Sequence, residues 1–524
     1  MKKSICMLLL LLAVGLIVSC DNTKDSDISM EDLKPEKLVV YGVGDEVQTN
    51  YGEHFFTTRY LLGEFQSMAE KWGESGYIYY NAISEYEKNT GIDIELHLFS
   101  NTQDLLAALM NESKLKPDII IGSYTSGDYC LYPYIESGLF ADLKSYFEED
   151  EIYTDGEYIS KVIEAGMIGD QQLIFPLTFN MNVLFSSMES MLRHEFWLSD
   201  DMKYEDFISV FQDNWGQMNR EEEECLLIQY TNMWNDYPYV LLQAASGVSL
   251  IDYETGIISI DKEYFNELAK LYESYLCNDY GMTREELKEL ADINQGFLPS
   301  DLSYYNELTS KVVSNEIAFD VFELLNDRIA FIAEGGNTSY LLHSFASQAY
   351  YYNSRYKDLE EEFICVGIPA KGKEGFAAQV TTFGAVLDSS PYTKYGYEFL
   401  KSLADSQKYM FFDLSVNKRI ATNTINNMAS TYYNLYPSLG NFPPEREPEG
   451  EDWLGEAYII QPLSEKTKEY LLEMIEKITV AVLPEWSINN IVTQEIESYI
   501  YGDTSTIDEA YKKVTQQLNN KSFK

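Results

Sequence analysis

Hydrophobic positions along the chain alternate between the two periods that mark strand and helix. Lys37 to Val43 is a β-rich run that predicts a strand. Tyr79 to Asn89 keeps helical spacing, with Ile83 and Tyr86 on its apolar face and Gly91 as a stop. In Ile92 to Phe99, Ile92, Ile94, Leu96 and Leu98 alternate with Asp93, Glu95 and His97, which predicts a strand with one wet face. A helix over Asn101 to Lys114 carries Leu105, Leu106, Leu109 and Met110, and the unbroken Ile119-Ile120-Ile121 suits a strand covered on both faces. Strand, helix, strand, helix, strand in this order make a doubly wound unit, whose ligands bind outside the carboxyl ends of the strands.

Beyond that unit the pattern turns more helical. Asp261 to Leu276 predicts a helix behind an Asp N-cap, with Phe265, Leu268, Tyr272 and Tyr275 in register. Arg328 to Ala333, Phe363 to Ile368 and Phe383 to Leu387 read as short strands, and Pro391 to Leu403 as a helix. Thr506-Ile507-Asp508-Glu509 matches a capping box, followed by a face of Ile507, Ala510, Tyr511, Val514 and Leu518. Residues 47–76 and the Pro/Glu-rich stretch Asn441 to Glu451 read as surface insertions, and no internal repeat is present.

The first residues change the compartment. Lys2 and Lys3 precede an apolar run from Met7 to Val18, which is shorter than the roughly 20 residues a membrane-spanning helix requires. Ile17-Val18-Ser19-Cys20 is similar to the lipobox of bacterial lipoproteins. That similarity implies a signal peptide over 1–19, diacylation of Cys20, and a polar tether over 20–36 on the outer face of the cell membrane. The remaining length exceeds what one hydrophobic core serves, so two or more domains are expected. A net charge of −47 excludes nucleic acid and anionic lipid headgroups as partners, and it is equally consistent with simple solubility. Cys130, Cys225, Cys277 and Cys365 lie far apart, without metal-ligand spacing, and are expected to be buried free thiols, with one disulfide as the lesser alternative.

Catalytic signatures fail in turn. His194-Glu195 lacks the second His of a zinc-protease helix, and Gly367 to Lys373 imitates a phosphate loop until Glu374 stands where Ser or Thr would hold magnesium. No G-x-S-x-G elbow occurs, and among 85 acidic residues a candidate carboxylate pair carries no information. Neither a catalytic residue, a metal nor a cofactor is expected.

A long ordered set of segments resembles the extracellular solute-binding proteins typified by maltose-binding protein. They are Lys37 to Asp45, Tyr86 to Ile92, Pro117 to Tyr124 followed by Ile135 to Leu143, Leu173 to Asn182, Phe363 to Pro369, and Tyr499 to Ala510. Phe185-Ser186-Ser187 stands where the family often has Tyr-Asn-Lys, and Glu46 where the maltose binders have Lys. The resemblance implies an α/β, two-lobed periplasmic-binding-protein-like fold of type II. One lobe would comprise 37–178 and 370–415, the other 179–369 and 416–524, with hinge crossings near 176–182, 366–372 and 412–420. It also implies ligand contacts from Asp45, Glu46, Ser123, Tyr124, Asp128, Asn180, Asn182, Asn337, Thr382 and Trp486, with Gly336, Thr381 and Phe383 alongside. Tyr129 and Tyr132 are assigned to lobe packing, and His54, His97 and His343 to structural roles. The expected function is capture of a small-molecule ligand, a carbohydrate and in particular an oligosaccharide, by a monomer that delivers it to the permease of an ABC importer. The alternatives are a secreted polysaccharide-degrading enzyme and a binding lipoprotein that serves no transporter.

Overall fold

The computed structural model describes residues 34–43, 77–110, 116–123, 130–187, 202–215, 226–230, 246–279, 283–293, 329–334, 363–406, 414–426, 465–502 and 504–521. The predicted opening unit is present: β1 (Lys37–Val43), α1 (Tyr77–Thr90), β2 (Asp93–Phe99), α2 (Thr102–Leu109) and β3 (Ile119–Ser123). β1 lies between the other two strands and is parallel to both, with Lys37 beside Asp93 and Val40 beside Ile119. The chain therefore leaves β1 on one side and returns across it to β3. Right-handed crossovers then place their helices on opposite faces, and a crevice opens at the carboxyl ends of β1 and β3. Ile83, Tyr86, Leu105, Leu106 and the three isoleucines of β3 are all buried, whereas β2 keeps a wet face. Met110 departs from the expected apolar face: it follows the last turn of α2 and is 70% exposed.

Next come α3 (Tyr132–Glu136), α4 (Lys144–Glu149), α5 (Ser160–Glu164), β4 (Phe175–Met181), β5 (Val183–Ser187), α6 (Tyr204–Trp215) and β6 (Leu226–Tyr230). After a two-residue-per-strand hairpin at 251–258 follow α7 (Lys262–Asp279), α8 (Arg284–Ile293), β7 (Ile329–Glu334), β8 (Phe363–Gly367) and β9 (Phe376–Val386). The chain closes with α9 (Thr393–Ala404), β10 (Leu414–Ser415), α10 (Lys418–Asn426), α11 (Glu465–Glu476), β11 (Ile478–Val482), α12 (Trp486–Ile500) and α13 (Ile507–Lys521).

These strands form a seven-stranded sheet, in the order β10-β4-β9-β3-β1-β2 with β11 also on β9, and a four-stranded sheet in the order β8-β5-β7-β6. Around the larger sheet lies one core, in which Phe175 meets Phe147 edge-on at 4.7 Å and stacks with Tyr397 at 6.1 Å. A second core is built from α7, α8, α12 and α13, with Phe265, Leu268, Tyr272, Val492, Ile496, Val514 and Leu518 at its centre. The caps expected for its helices are realised. Asp261 Oδ1 accepts from the Glu263 and Tyr264 amides at 2.8 and 3.0 Å, and Thr506 Oγ1 accepts from the Glu509 amide at 3.2 Å. The Glu509 carboxylate, however, accepts from Ser505 Oγ, so the capping box is closed by a neighbouring hydroxyl.

Two of the three expected crossings carry the chain from sheet to sheet. β4 ends in the larger sheet and β5 begins in the smaller one across the single residue Asn182, while β8 returns to β9 through residues 368–375. The two passages lie side by side, since the Ile368 amide donates to the Asn182 carbonyl at 3.2 Å. The third differs from expectation. β10 pairs with β4 through Leu414 and Phe179, and Val416, Ile420, Ala421 and Ile425 continue into the first core, so residues 414–426 stay with the larger sheet. A strand-like run of this length is satisfied as an edge strand and has no need to cross. Among the described residues the further passage is at 483–488, where Leu483 belongs to the first core and Ile488 to the second.

Candidate ligand cleft and its hinge

β4 carries opposite chemistry on its two faces. Leu177, Phe179 and Met181 alternate with Thr178, Asn180 and Asn182, and every one of them is buried. The polar set follows one face of the strand at intervals of about 6.8 Å and ends at the passage between sheets. Beside it, β9 bulges so that Thr381 and Thr382 together oppose Thr178, and the Thr178 and Thr381 hydroxyls are hydrogen-bonded at 2.7 Å. Thr382 is also the register partner of Ser123 on the next strand. Ser123, Thr382 and Thr178 thus cross neighbouring strands in a row, and Asn180 and Asn182 extend the row toward the hinge.

The carboxyl end of β3 is fixed from two sides. Thr102 Oγ1, at the start of α2, donates to the Ser123 carbonyl at 2.8 Å and accepts from the Ser123 amide at 3.0 Å. Gly122 lies under the ring of Phe383, which a β-carbon there would approach to 2.3 Å, so only glycine permits this contact. Phe383 is consequently core and not cleft surface. Ser123 and Thr382 occupy the edge where the crevice of a doubly wound sheet is expected.

Of the residues expected in the site, Ser123, Thr382, Asn180 and Asn182 are brought into one strip. Asp45, Glu46, Tyr124, Asp128, Asn337 and Gly336 lie outside the described residues, as do the signal peptide, Cys20 and the tether as far as residue 33, Tyr129, His54 and His343. Trp486 is the first residue of α12, at the far passage between the cores. Tyr132 is buried in the second core, as its assignment to packing requires, and His97 is exposed beside Glu95. Cys130 is a half-buried free thiol, pushed up to about 12 by burial and then by the charge of Glu485. Among the described residues no His, Cys, Asp and Glu cluster could hold a metal, and no helix is long and apolar enough to cross a membrane.

Asn182 has the most informative environment. Its carbonyl is used by Ile368, yet its side-chain Nδ2 is buried with no hydrogen-bond partner among the described residues. A buried amide donor left unpaired costs about 1–3 kcal/mol. The return passage close by is firmly fastened. Lys371 Nζ lies 2.9 Å from Glu267 Oε2 and 4.7 and 5.2 Å from the ring centres of Tyr204 and Tyr264, and its amide donates to the Ser246 carbonyl at 2.9 Å. Sequence inspection passed over Thr178, Lys371 and Glu485; only Thr178 left a signal, the polar-apolar alternation of Leu177 to Asn182.

Solved structures decide the fold. A sugar transporter protein from Rhizobium etli in an open conformation superposes with a TM-score of 0.50 at 13% identity, covering 93% of this chain and 100% of its own. The chain has the fold of the two-lobed solute-binding proteins. Further structural matches of the same kind include an ABC substrate-binding protein from Listeria monocytogenes in complex with cycloalternan (TM-score 0.46, 14% identity, 93% and 99% covered). Another is a cyclic α-maltosyl-1,6-maltose binding protein from Arthrobacter globiformis (TM-score 0.46, 15% identity, 93% and 99% covered). No protein-family model and no curated protein sequence matches the chain. The strip on β3, β9 and β4 ends at Asn182, where the chain passes from the larger sheet to the smaller one.

Proposed function

We propose that this chain is an extracellular solute-binding lipoprotein that captures a carbohydrate, in particular an oligosaccharide, and hands it to the permease of an ABC importer. The observation that carries the reading is the buried polar strip that ends in the unpaired amide of Asn182 at the hinge. Ser123, Thr382, Thr178, Asn180 and Asn182 offer uncharged donors and acceptors only. Such a set matches the hydroxyls of a neutral polyol. A ligand that supplies an acceptor to Asn182 Nδ2 relieves the cost of that buried donor, and a ligand touching both sides of the hinge favours the closed state over the open one. Capture of this kind requires no bond to be made or broken. The name of the Rhizobium protein, a sugar transporter, supports a carbohydrate as ligand. Anchoring through Cys20 after removal of residues 1–19 and a monomeric state complete the proposal.

A thermal-shift screen against neutral oligosaccharides tests it. A ligand present at 100 times its Kd raises stability by about 2.7 kcal/mol, which is readily seen as a higher melting temperature. Stabilisation by amino acids, peptides or anions, with none from any sugar, would overturn the carbohydrate reading.

A further inference from the structure

Glu485 is a carboxyl in the wrong place for a surface residue of an acidic protein. It lies in the passage 483–488 and is 5% exposed. Its Oε1 accepts from the Leu131 amide at 3.2 Å and from the Tyr253 hydroxyl, whereas Oε2 is buried with no partner in hydrogen-bonding reach among the described residues. Each segment that meets here bridges the two cores. Leu483 packs in the first core and Ile488 in the second; Leu131 and Ile135 belong to the first and Tyr132 to the second; Tyr253 packs against both. The contact is close, because a β-carbon on Gly256 would come within 2.4 Å of the Tyr132 ring.

We propose that Glu485 is a proton-operated catch on the seam between the two cores, shut while its carboxyl is neutral and loosened when it ionises. Its consequence for ligand capture, through the freedom of the lobes to open, rests on the solute-binding reading; its chemistry does not. A neutral carboxyl can keep accepting from Leu131 and Tyr253 without placing charge in the interior. The carboxylate needs solvation at Oε2 that the closed seam does not supply, and water reaches that oxygen only if the seam parts.

The groups facing the carboxyl do little to hold its charge. From the segment before α3 come the Cys130 thiol and the Leu131 amide, with the Tyr132 and Tyr134 phenols beyond; from the 251–258 hairpin comes the Tyr253 phenol, with the exposed Asp252 behind it. From α13, Lys521 acts on Cys130. Burial outweighs the hydrogen bonding from Tyr253, Leu131 and the Cys130 thiol, which favours ionisation, and pushes Glu485 up to about 7.

Amide hydrogen exchange on the full, ligand-free chain between pH 5 and 8, corrected for intrinsic exchange, reads the catch directly. A carboxyl of ordinary acidity in the opened seam and a raised pKa in the closed one makes opening at residues 131–135 rise about tenfold per pH unit up to pH 7 and then level off. Glu485→Gln should be shut and independent of pH, and amides of β3 should not follow the seam in either protein. Seam exchange in the wild type that ignores pH, or a Glu485→Gln protein with the wild-type slope, overturns the proposal. Should that variant fail to fold, the wild-type Glu485 carboxyl resonance decides: titration near pH 7 supports the catch, and titration below about pH 5 refutes it. No ligand is used, so either result leaves the sugar reading to be judged by its own screen.

Discussion

The two cores hold the acid groups at their borders in different ways. In the first, carboxylates are matched: Asp118 accepts from the Val39 amide at 2.9 Å and Ser390 Oγ at 2.7 Å, Asp405 takes Tyr158, Asn417 and Lys401, and Asp150 takes Tyr397. In the second and at its border stand Glu485, just before α12, and Glu495 and Glu497 within it, all pushed upward chiefly by burial. Oε2 of Glu495, like that of Glu485, is buried without a partner among the described residues. Glu398 on α9 is the counterexample in the first core, also raised by burial. The sheet body thus holds its acids by hydrogen bonds, whereas the acids at the border of the helical body are governed by burial.

The sharpest way to break that contrast is to hollow each core. Phe175→Ala removes the ring that packs on Phe147 and Tyr397, and Phe265→Ala removes a fully buried ring of the helical core; each should cost about 3–5 kcal/mol. Calorimetry should show each variant lowering a different part of the melting profile. A single transition moved equally by both would mean that the two bodies unfold as one.

Dependence on pH sharpens it next. Glu485 has a higher pKa folded than unfolded, so the folded state binds the proton more tightly. Its contribution is full below about pH 4.5 and is lost as pH rises through about 7. Wild-type stability should fall by about 3 kcal/mol across that window from this group alone, and the loss should be absent in Glu485→Gln. Urea unfolding at pH 5 and pH 8 measures it, and equal slopes in both proteins would exclude Glu485 as the cause.

The opening unit was legible because its strands are extreme. Ile119-Ile120-Ile121 admits no wet face, and the alternation of Ile92 to Leu98 admits only one. Phe376 to Val380 was not legible: Ala377-Ala378-Gln379 carries little strand signal and is held by β11, a partner a hundred residues away in sequence, roughly one domain length. The misplaced third crossing has a similar origin, since local pattern reports that 414–415 is extended and not which sheet receives it. In the cleft, Asn180, Asn182, Ser123 and Thr382 could be named from motif position. Their assembly depends on the β9 bulge opposite Thr178, which no local pattern announces. Glu485 was invisible among 85 acidic residues, because burial is what sets it apart.

Two smaller effects probe the hinge between the bodies. Lys371→Ala strips Glu267 of its cation and the Tyr204 and Tyr264 rings of their contact, and should cost about 2 kcal/mol by urea unfolding. Asn182→Ala deletes a buried donor that has no partner among the described residues, so ligand-free stability should hold or rise, by up to about 1–3 kcal/mol. A large loss would mean that Asn182 serves the fold and not a ligand.

If the strip from Ser123 to Asn182 receives a neutral sugar, isothermal titration calorimetry with the oligosaccharide found by thermal shift should show one binding site in the wild type. Asn182→Ala and Thr382→Ala should each weaken it by about tenfold while the variants stay folded. Wild-type affinity in both variants would contradict it.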